Sequence, residues 1–207
     1  MEIVNITPTY IDEVLSLQKE VYDNLEDKEI LETLSREDML TLLESEYSVG
    51  VFDGEKLKAL RAFYIPKINE DEHLADDANV SREDTIYSEI TFIHEDLRGK
   101  NLQLKMGEVL LEKLRKDKQF KYLIGTVMPT NLPSLKNTMS LGLNIVNTKI
   151  KYGNKRRHIL MLDLENEPML SGDPIKIKYD DFDWMLENGK DYIGVELQDD
   201  YITYYKK

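Results

Sequence analysis

The apolar residues of the chain recur with two different spacings, and the shorter spacing predicts the strands. Successive side chains of a strand point to opposite faces, so alternation of apolar and polar residues indicates a strand with one buried face. The segments with this pattern, or with a short apolar run between turn residues, are 2–6, 47–52, 57–65, 85–93, 120–127, 144–151 and 157–164. Asp53-Gly54 and Gly153-Asn154 are turn sequences and predict hairpins around them.

The longer spacing, of three to four residues, predicts four helices between these strands. They begin near residues 11, 36, 102 and 132. Ser35 followed by Asp38 matches a capping box, with Asp in place of the usual Glu or Gln. The apolar residues on one side of the helix over 102–117 are Leu102, Met106, Val109, Leu110 and Leu114. The resulting order is strand, helix, helix, three strands, helix, strand, helix and two strands, which predicts an α/β fold.

Residues 69–84 interrupt this pattern and are predicted to be a loop. Their seven acidic residues, set against Arg82 alone, are Glu70, Asp71, Glu72, Asp76, Asp77, Glu83 and Asp84. A segment of this kind is typical of a solvated, mobile connection. The alternative is that its acids form an electrostatic lip for a cationic substrate.

The C-terminal residues lie beyond the main pattern, so we divide the chain into a domain of residues 1–164 and an extension of residues 165–207. The predicted elements of the extension are a turn at Ser171–Pro174, a short helix within 179–186 and a hairpin of 192–197 with 201–205. Its aromatic residues are Tyr179, Phe182, Trp184, Tyr192, Tyr201, Tyr204 and Tyr205. So many aromatics predict a docked segment, either on the domain or on a second copy of the chain in a homodimer.

Composition excludes several classes of protein. The chain has no cysteine, which excludes disulfide scaffolds, thiolate metal sites and cysteine nucleophiles, and its three histidines show no metal-ligand spacing. No apolar run approaches the ~20 residues of a membrane span, and no signal peptide is visible, so we expect a cytoplasmic protein. The net charge of -13 disfavours nucleic acids and anionic membranes and favours cationic partners.

One short segment reverses this negative charge. Arg98, Lys100 and Lys105 lie where the strand over 85–93 gives way to the helix over 102–117. The first N–H groups of a helix have no partner within the helix, and the helix dipole favours anions there. This segment therefore predicts a site for a polyphosphate.

The same segment resembles the pyrophosphate-binding loop of the GNAT superfamily of acyl-CoA-dependent N-acetyltransferases. The family's loop reads Arg/Gln-x-x-Gly-x-Gly/Ala, and this chain reads Arg98-Gly99-Lys100-Asn101-Leu102-Gln103. Asn101 and Gln103 replace the two motif glycines, and Asn is among the residues that best tolerate a left-handed backbone. The preceding residues, from Ile93 to Leu97, resemble the family's lead-in of an apolar residue followed by His-Pro-Glu-Tyr.

A second resemblance lies downstream, where Asn131, Ser134 and Leu141-Gly142-Leu143 match another family pattern in spacing. Together the two resemblances cover about residues 1–164. They imply a mixed, mostly antiparallel sheet flanked by helices.

The resemblance also implies a binding site for acetyl-CoA. The residues that would hold the pyrophosphate are Arg98, Gly99, Lys100, Asn101, Leu102 and Gln103. Backbone amides of the strand before the loop, here Phe92 and Ile93 up to His94, would hold the thioester arm. Asn131, with Ser134 of the same pattern, would contact the pantetheine.

Acyl transfer to an amine needs a group that removes a proton, because an alkylammonium has a pKa near ~10. In the family the strand before the loop often supplies a carboxylate, and Glu89 is the one carboxylate within 85–93. Glu89 is therefore the candidate base; alternatively, it points to solvent or pairs with a neighbouring strand. Tyr87 shares its face and is a candidate to orient water or donate a proton; alternatively, it is a packed aromatic. The family often places a Tyr acid seven residues after the Asn, where this chain has Thr138, which is too weakly acidic for that role.

A second acidic segment lies between the first two predicted helices and contains Asp23, Glu26, Asp27, Glu29 and Glu32. With the loop at 69–84 it predicts a cationic acceptor such as a polyamine, an aminoglycoside-like amine or a peptide amine; the alternative is plain surface charge.

The leading hypothesis for function is acetyl-CoA-dependent N-acetylation of a small amine or peptide amine by direct attack on the thioester. The rival is a non-catalytic GNAT-like module that binds a ligand or a partner. Thr138 and the missing glycines favour the rival, whereas Arg98-Gly99-Lys100 and Asn131 favour the enzyme.

Overall fold

A computed structural model describes residues 1–28 and 31–207 of the chain. Its elements in chain order are β1 (Val4–Asn5), α1 (Ile11–Asp23), α2 (Arg36–Glu44), β2 (Ser48–Asp53), β3 (Lys56–Tyr64), α3 (Leu74–Ala78), β4 (Thr85–Ile93), α4 (Leu102–Asp117), β5 (Tyr122–Val127), α5 (Leu132–Ser140), β6 (Asn144–Lys151), β7 (Lys155–Asp163), β8 (Ser171–Lys178), α6 (Phe182–Asn188), β9 (Tyr192–Gln198) and β10 (Tyr201–Lys206).

The chain divides into two compact units, the first formed by Met1–Ile65 with Ser88–Asp117 and the second by Pro66–Tyr87 with Lys118–Lys207. β4 contributes its first three residues to the second unit and the rest to the first. Each unit is a sheet with its own helices, so the predicted α/β class is confirmed.

The first unit contains the strand order β1-β2-β3-β4, with β1, β2 and β3 joined by antiparallel pairing. The core is built where α1 and α2 cover one face of β3. Leu60 and Ala62 of β3 pack there with Val14 and Leu17 of α1 and Met39 of α2, all nearly or fully buried. α4 also contacts β3, and Arg61, between Leu60 and Ala62, reaches it with its side chain.

The second unit contains the strand order β4-β5-β7-β6-β9-β10-β8. β4 and β5 are parallel, whereas the other described pairs of this unit are antiparallel. The parallel ladder between β4 and β5 covers only Thr85–Tyr87. The sheet is therefore mixed and mostly antiparallel, as expected.

Local sequence signals locate the helix ends correctly. The Ser35 hydroxyl accepts the N–H of Asp38 at 3.1 Å, which is the capping bond predicted for α2. Gly142 has φ 94°, the left-handed conformation that terminates a helix, just after α5.

Three local predictions are wrong. Residues 69–84 are not all loop, because they contain α3, which His73 caps with its ring nitrogen. Leu74 and Ala75 of this helix are buried, but two apolar residues among many acids give no helical pattern in the sequence. Val109 is 39% exposed, because the buried side of α4 is centred on Met106 and Leu110 and leaves Val109 at its margin. Ser171–Pro174 belongs to β8 rather than to a turn, because β8 ends the strand order, and an edge strand tolerates proline.

The C-terminal residues extend the sheet of the second unit. β9 pairs with β6 through Gly194 and Ile145, and β8 and β10 continue from it. The Trp184 ring lies 5.3 Å from that of Tyr192 and 5.1 Å from that of Tyr204. The aromatics therefore pack these residues onto their own chain. A domain boundary at residue 164 and a homodimer both stay predictions.

The buried His158 of β7 gives the second unit an acid-sensitive core. Its Nδ1 lies 2.9 Å from the Thr148 hydroxyl, and burial lowers its pKa from 6.5 to about 4. Between pH 6.5 and about 4 the unfolded chain therefore binds a proton that the folded chain does not. We expect this group to reduce the free energy of unfolding by about 3 kcal/mol as the pH falls from 6.5 to 4, and by no more below that.

Urea unfolding at several pH values, on the wild type and on His158→Gln, measures this contribution. Burial lowers the pKa of His73 as well, so the informative quantity is the difference between the two proteins. The wild type should lose more stability than the variant between pH 6.5 and 4. Equal losses would show that His158 does not set the acid sensitivity.

Candidate functional site

The segment between β4 and α4 has the backbone geometry of an anion site. Gly99 has φ 75° and Asn101 has φ 58°, so Asn101 adopts the left-handed conformation expected of it. The first helical hydrogen bond runs from the N–H of Lys105 to the Asn101 carbonyl at 3.2 Å. The N–H groups of residues 102–104 therefore come before the first hydrogen bond of the helix and are positioned to bind an anion. The side chains of Arg98 and Lys100 are exposed beside them in the chain.

A short 3₁₀ turn, Glu95–Leu97, leads into this segment and is fixed by charged neighbours. His94 caps the turn, its Nδ1 accepting the N–H of Asp96 at 3.3 Å. Lys58 of β3 lies 2.9 Å from the Asp96 carboxylate, and this hydrogen bond holds the pKa of Asp96 below its ordinary value. Glu20 of α1 lies 3.4 Å from His94 Nε2. These contacts attach the loop's entry to β3 and α1.

The three backbone amides expected to hold a thioester arm lie at the end of β4 and differ in the direction of their N–H groups. The N–H of His94 donates to the Lys58 carbonyl of β3 at 2.9 Å, so it is already used. Successive strand residues direct their N–H groups to opposite edges, which points that of Phe92 towards β3 and that of Ile93 away from it. The Phe92 side chain is fully buried in the core of the first unit. Ile93 is therefore the best placed of the three.

The two candidate catalytic residues lie in different units and have different surroundings. Glu89 is exposed on β4 in the first unit. Tyr87 is 4% exposed in the second unit, where its hydroxyl accepts the N–H of Leu74 at 2.8 Å and its ring packs edge-on against His73. The structure therefore gives Tyr87 a packing role, which was the alternative for this residue, and leaves Glu89 accessible to solvent.

Asn131 and Ser134 meet at the N-terminus of α5 in the second unit. The Asn131 side-chain oxygen accepts the N–H of Ser134 at 3.2 Å and caps the helix. This bond uses the carbonyl side of the Asn131 amide and not its NH2 group. Both residues are half-buried, whereas Thr138, about two turns beyond Asn131, is 6% exposed.

The acids of residues 69–84 are largely engaged in ion pairs within the second unit. Asp77 is 8% exposed in its side chain and binds both Lys149 and Lys151 of β6. Asp76 pairs with Arg82, and Asp84 lies 3.2 Å from Lys121. These pairs weaken the hypothesis of an electrostatic lip, because much of the negative charge is compensated locally.

The acidic segment of residues 23–32 lies at the surface in the part that the structure describes. Asp23 pairs with Lys19, and Glu26, Asp27 and Glu32 are exposed. Glu29 lies outside the described residues.

Two residues near the anion site escaped the sequence analysis, namely Arg61 and Lys58 of β3. Arg61 is 2% exposed, and its guanidinium donates to the Gln103 carbonyl at 2.9 Å. The available signal was a charged residue in the middle of an otherwise apolar run, Ala59-Leu60-Arg61-Ala62-Phe63.

Comparison with solved structures gives the fold a name. The protein yncA of Salmonella typhimurium, solved with its cofactor acetyl-CoA, is 13% identical and matches with a TM-score of 0.59 over 84% of this chain and 99% of its own. An acetyltransferase of the GNAT family from Streptococcus pneumoniae matches with a TM-score of 0.58 at 13% identity, over 78% and 98% of the two chains. The chain has the GNAT fold.

A third similar structure is the polyamine N-acetyltransferase of Drosophila melanogaster, with a TM-score of 0.58 at 13% identity over 78% of this chain and 100% of its own. No protein-family model matches the chain, and no curated protein matches its sequence. The GNAT fold implied by the loop and by the Asn131 pattern is thus confirmed by comparison of structures, whereas the comparisons of sequence give no match.

Residues 1–28 and 31–207 contain neither a cluster of metal ligands nor a membrane-spanning helix. No three His, Asp or Glu side chains of these residues come together as ligands for a metal ion. No helix among them is both long enough and apolar enough to cross a membrane.

The left-handed backbone of Asn101 allows a test of whether the segment Arg98–Gln103 binds CoA as the resemblance implies. Asn101→Gly should bind CoA within threefold of the wild type, because glycine adopts φ 58° freely, whereas Asn101→Val should weaken binding about tenfold, because a β-branched residue is strained there by roughly 1–2 kcal/mol. Calorimetric titration with CoA measures both.

Lys118→Val is the matched control for Asn101→Val. Lys118 also has a left-handed backbone, with φ 52°, just after the other end of α4. It should lower the melting temperature without changing the affinity for CoA. If Asn101→Val bound CoA as tightly as the wild type, the conformation of Asn101 would not matter for the ligand.

Proposed function

We propose that the chain is an acetyl-CoA-dependent N-acetyltransferase that acts in the cytoplasm. The observation that most supports this is the geometry of the segment Arg98–Gln103 on a GNAT fold. The segment has two residues with a left-handed backbone, exposed cations, and N–H groups that precede the first hydrogen bond of α4. Such a segment binds a pyrophosphate because N–H donors and positive charge converge on the same place.

Two parts of the cofactor would be held by residues of the first unit. Arg98, Lys100 and the amides of Gly99, Asn101, Leu102 and Gln103 would bind the pyrophosphate. Phe92 and Ile93 would border the thioester arm, with the N–H of Ile93 the better oriented of the two. For Asn131 and Ser134 the family resemblance alone implies a contact with pantetheine, and the Asn131 NH2 group is the donor outside the helix cap.

Acetyl-CoA supplies a thioester carbonyl, and this chain's residues prepare the amine that attacks it. The acceptor arrives as an ammonium ion and must lose a proton before its nitrogen can attack. Glu89 is the proposed base, because it is accessible to solvent and lies four residues before Ile93 on the same strand. Glu89 would accept the proton of the ammonium, directly or through water. The free amine nitrogen would then form a bond to the acetyl carbon while the carbon–sulfur bond of the thioester breaks, and the leaving sulfur would take a proton from solvent.

The proposed acceptor is a small cationic amine or a peptide amine. The net charge of -13 and the exposed acids Glu26, Asp27 and Glu32 favour a cation. One structural neighbour is described as a polyamine N-acetyltransferase, which is a precedent for such an acceptor on this fold. The acids of residues 69–84 add less, because most of them are paired within their own unit.

A non-catalytic GNAT module is the second candidate, and two observations favour it. Thr138, at the position where the family often has an acidic Tyr, is 6% exposed, and its hydroxyl is too weakly acidic to protonate a departing thiolate. Tyr87, the nearest phenol in sequence to Glu89, is engaged with the Leu74 backbone. Such a module would bind CoA or a related ligand without turnover.

Calorimetric titration of the purified chain with acetyl-CoA and with CoA tests the shared basis of both candidates. We expect micromolar binding of each with one site per chain. An absence of binding would refute the cofactor site, and with it the proposed enzyme. The tests that separate enzyme from module are described in the Discussion.

A further inference from the structure

Arg61 is a charged residue buried within an otherwise apolar stretch of β3. It lies midway along β3, only 2% exposed, and is among the largest fully buried side chains of the described chain. Its strand neighbours Leu60 and Ala62 belong to the apolar core. Burying a guanidinium is costly unless its N–H groups are satisfied, so its contacts indicate what it does.

The guanidinium joins three elements of the first unit. One terminal nitrogen, Nη1, donates to the Gln103 carbonyl in the first turn of α4 at 2.9 Å. The other, Nη2, donates to the Ser88 hydroxyl of β4 at 3.1 Å. The guanidinium carbon also lies 5.8 Å from the centre of the Phe63 ring on the same strand. Arg61 thereby fixes the first turn of α4 to β3 and β4.

The bond to Gln103 bears directly on the amides that would bind phosphate. A peptide unit is planar and trans, so the C=O of Gln103 and the N–H of Leu104 point in opposite directions within one plane. A donor that holds this carbonyl therefore also aims the Leu104 N–H at the open end of the helix. The hydrogen bond polarises the same peptide unit and so strengthens that N–H as a donor.

The charge of Arg61 acts in the same direction. Burial lowers the pKa of the Arg61 guanidinium to about 10, which leaves it protonated at neutral pH. A fixed positive charge bonded to the first turn adds to the positive end of the helix dipole. The site thus has a cation buried within its framework as well as the exposed Arg98 and Lys100.

We infer that Arg61 is a positioning residue for the pyrophosphate-binding turn: it holds the Gln103–Leu104 peptide so that the Leu104 N–H donates to the ligand. This inference rests on the proposed function, because it assumes that the turn binds the pyrophosphate of CoA. Arg61 itself touches neither the cofactor nor the acceptor.

The test compares Arg61→Met and Arg61→Lys with Met39→Ala in the full chain. Met is shorter than Arg but is likewise unbranched and of similar volume, and it donates no hydrogen bond. Lys retains the charge, but a single ammonium cannot reproduce the guanidinium fork between Gln103 and Ser88. Met39→Ala removes buried volume from α2 in the same unit and serves as the control for lost stability.

Three quantities are measured: the Kd for CoA by calorimetry, the melting temperature, and the exchange rate of the Leu104 amide with and without CoA. Arg61→Met should weaken CoA binding by about tenfold or more, and Arg61→Lys by an intermediate factor. Met39→Ala should lower the melting temperature without changing the Kd. CoA should slow exchange of the Leu104 amide in the wild type and much less in Arg61→Met.

The outcomes distinguish a failure of the proposed function from a failure of the role assigned to Arg61. If the wild type does not bind CoA, the proposed function fails and this inference fails with it. If the wild type binds CoA and Arg61→Met binds it within twofold as tightly, only the role of Arg61 is overturned. If Arg61→Met does not fold, Arg61→Lys decides, and wild-type affinity in that variant overturns the inference. The inference is also overturned if Met39→Ala loses as much affinity for CoA as Arg61→Met does for the same fall in melting temperature.

Discussion

Arg98→Glu should abolish measurable CoA binding, with a loss of about 100-fold or more in affinity. The change removes a charge-assisted hydrogen bond to the pyrophosphate and places a carboxylate at the mouth of the anion site, so attraction becomes repulsion. Arg98 is exposed, and the substitution therefore has little reason to disturb the core. Calorimetric titration with CoA at low and moderate salt measures the effect.

Arg115→Glu is the matched control on the same helix. Arg115 is exposed in the last turn of α4, so the change in net charge is identical, but it occurs at the opposite end. It should reduce stability by roughly 0.3–1 kcal/mol through the helix dipole and leave CoA affinity within twofold. If both variants lost affinity equally, overall charge rather than the segment Arg98–Gln103 would be responsible.

Glu89→Gln should lower the rate of acetyl transfer by roughly 100-fold or more while CoA affinity stays unchanged. The amide cannot accept a proton from the ammonium acceptor, and a positioned general base contributes about that much to a rate. The fall in rate that protonation of the base causes at low pH should also disappear. Initial rates across a range of pH, with CoA affinity measured beside them, test both statements.

Glu108→Gln provides the comparison for this variant. Glu108 is an exposed carboxylate on α4, and its neutralisation changes the net charge by the same amount. It should leave rate and pH profile as they are. Turnover by Glu89→Gln at the wild-type rate would remove Glu89 from the mechanism and leave water as the acceptor of the proton.

Most of the fold could be predicted from sequence because local signals and tertiary packing agree. The Ser35 cap and the alternation through 85–93 both appear in the structure where the sequence places them. α3 was missed because two buried residues, Leu74 and Ala75, are too few to show a helical period among many acids. The extension's sheet pairing was also invisible, since Ile145 and Gly194 are far apart in sequence.

The candidate site was predictable only as far as it is local in sequence. Residues 98–103 are contiguous, and their charge and position before a helix identify an anion site without any tertiary information. The contacts of Arg61 with Gln103 and Ser88 depend on three separate elements, so no spacing rule reveals them. The ion pairs of Asp77 with Lys149 and Lys151 are equally non-local, and they changed the interpretation of the acidic segment.

The most direct test of the central claim is to incubate the purified chain with acetyl-CoA and a panel of amines and to identify acetylated products by mass spectrometry. The panel should include polyamines, aminoglycosides and peptides with a free N-terminus, with Arg98→Glu as the inactive comparison. We expect an acetylated amine in the wild-type reaction, with one CoA released for each acetyl group transferred. Tight binding of acetyl-CoA without any acetylated amine across the panel would contradict the enzyme and favour the non-catalytic module.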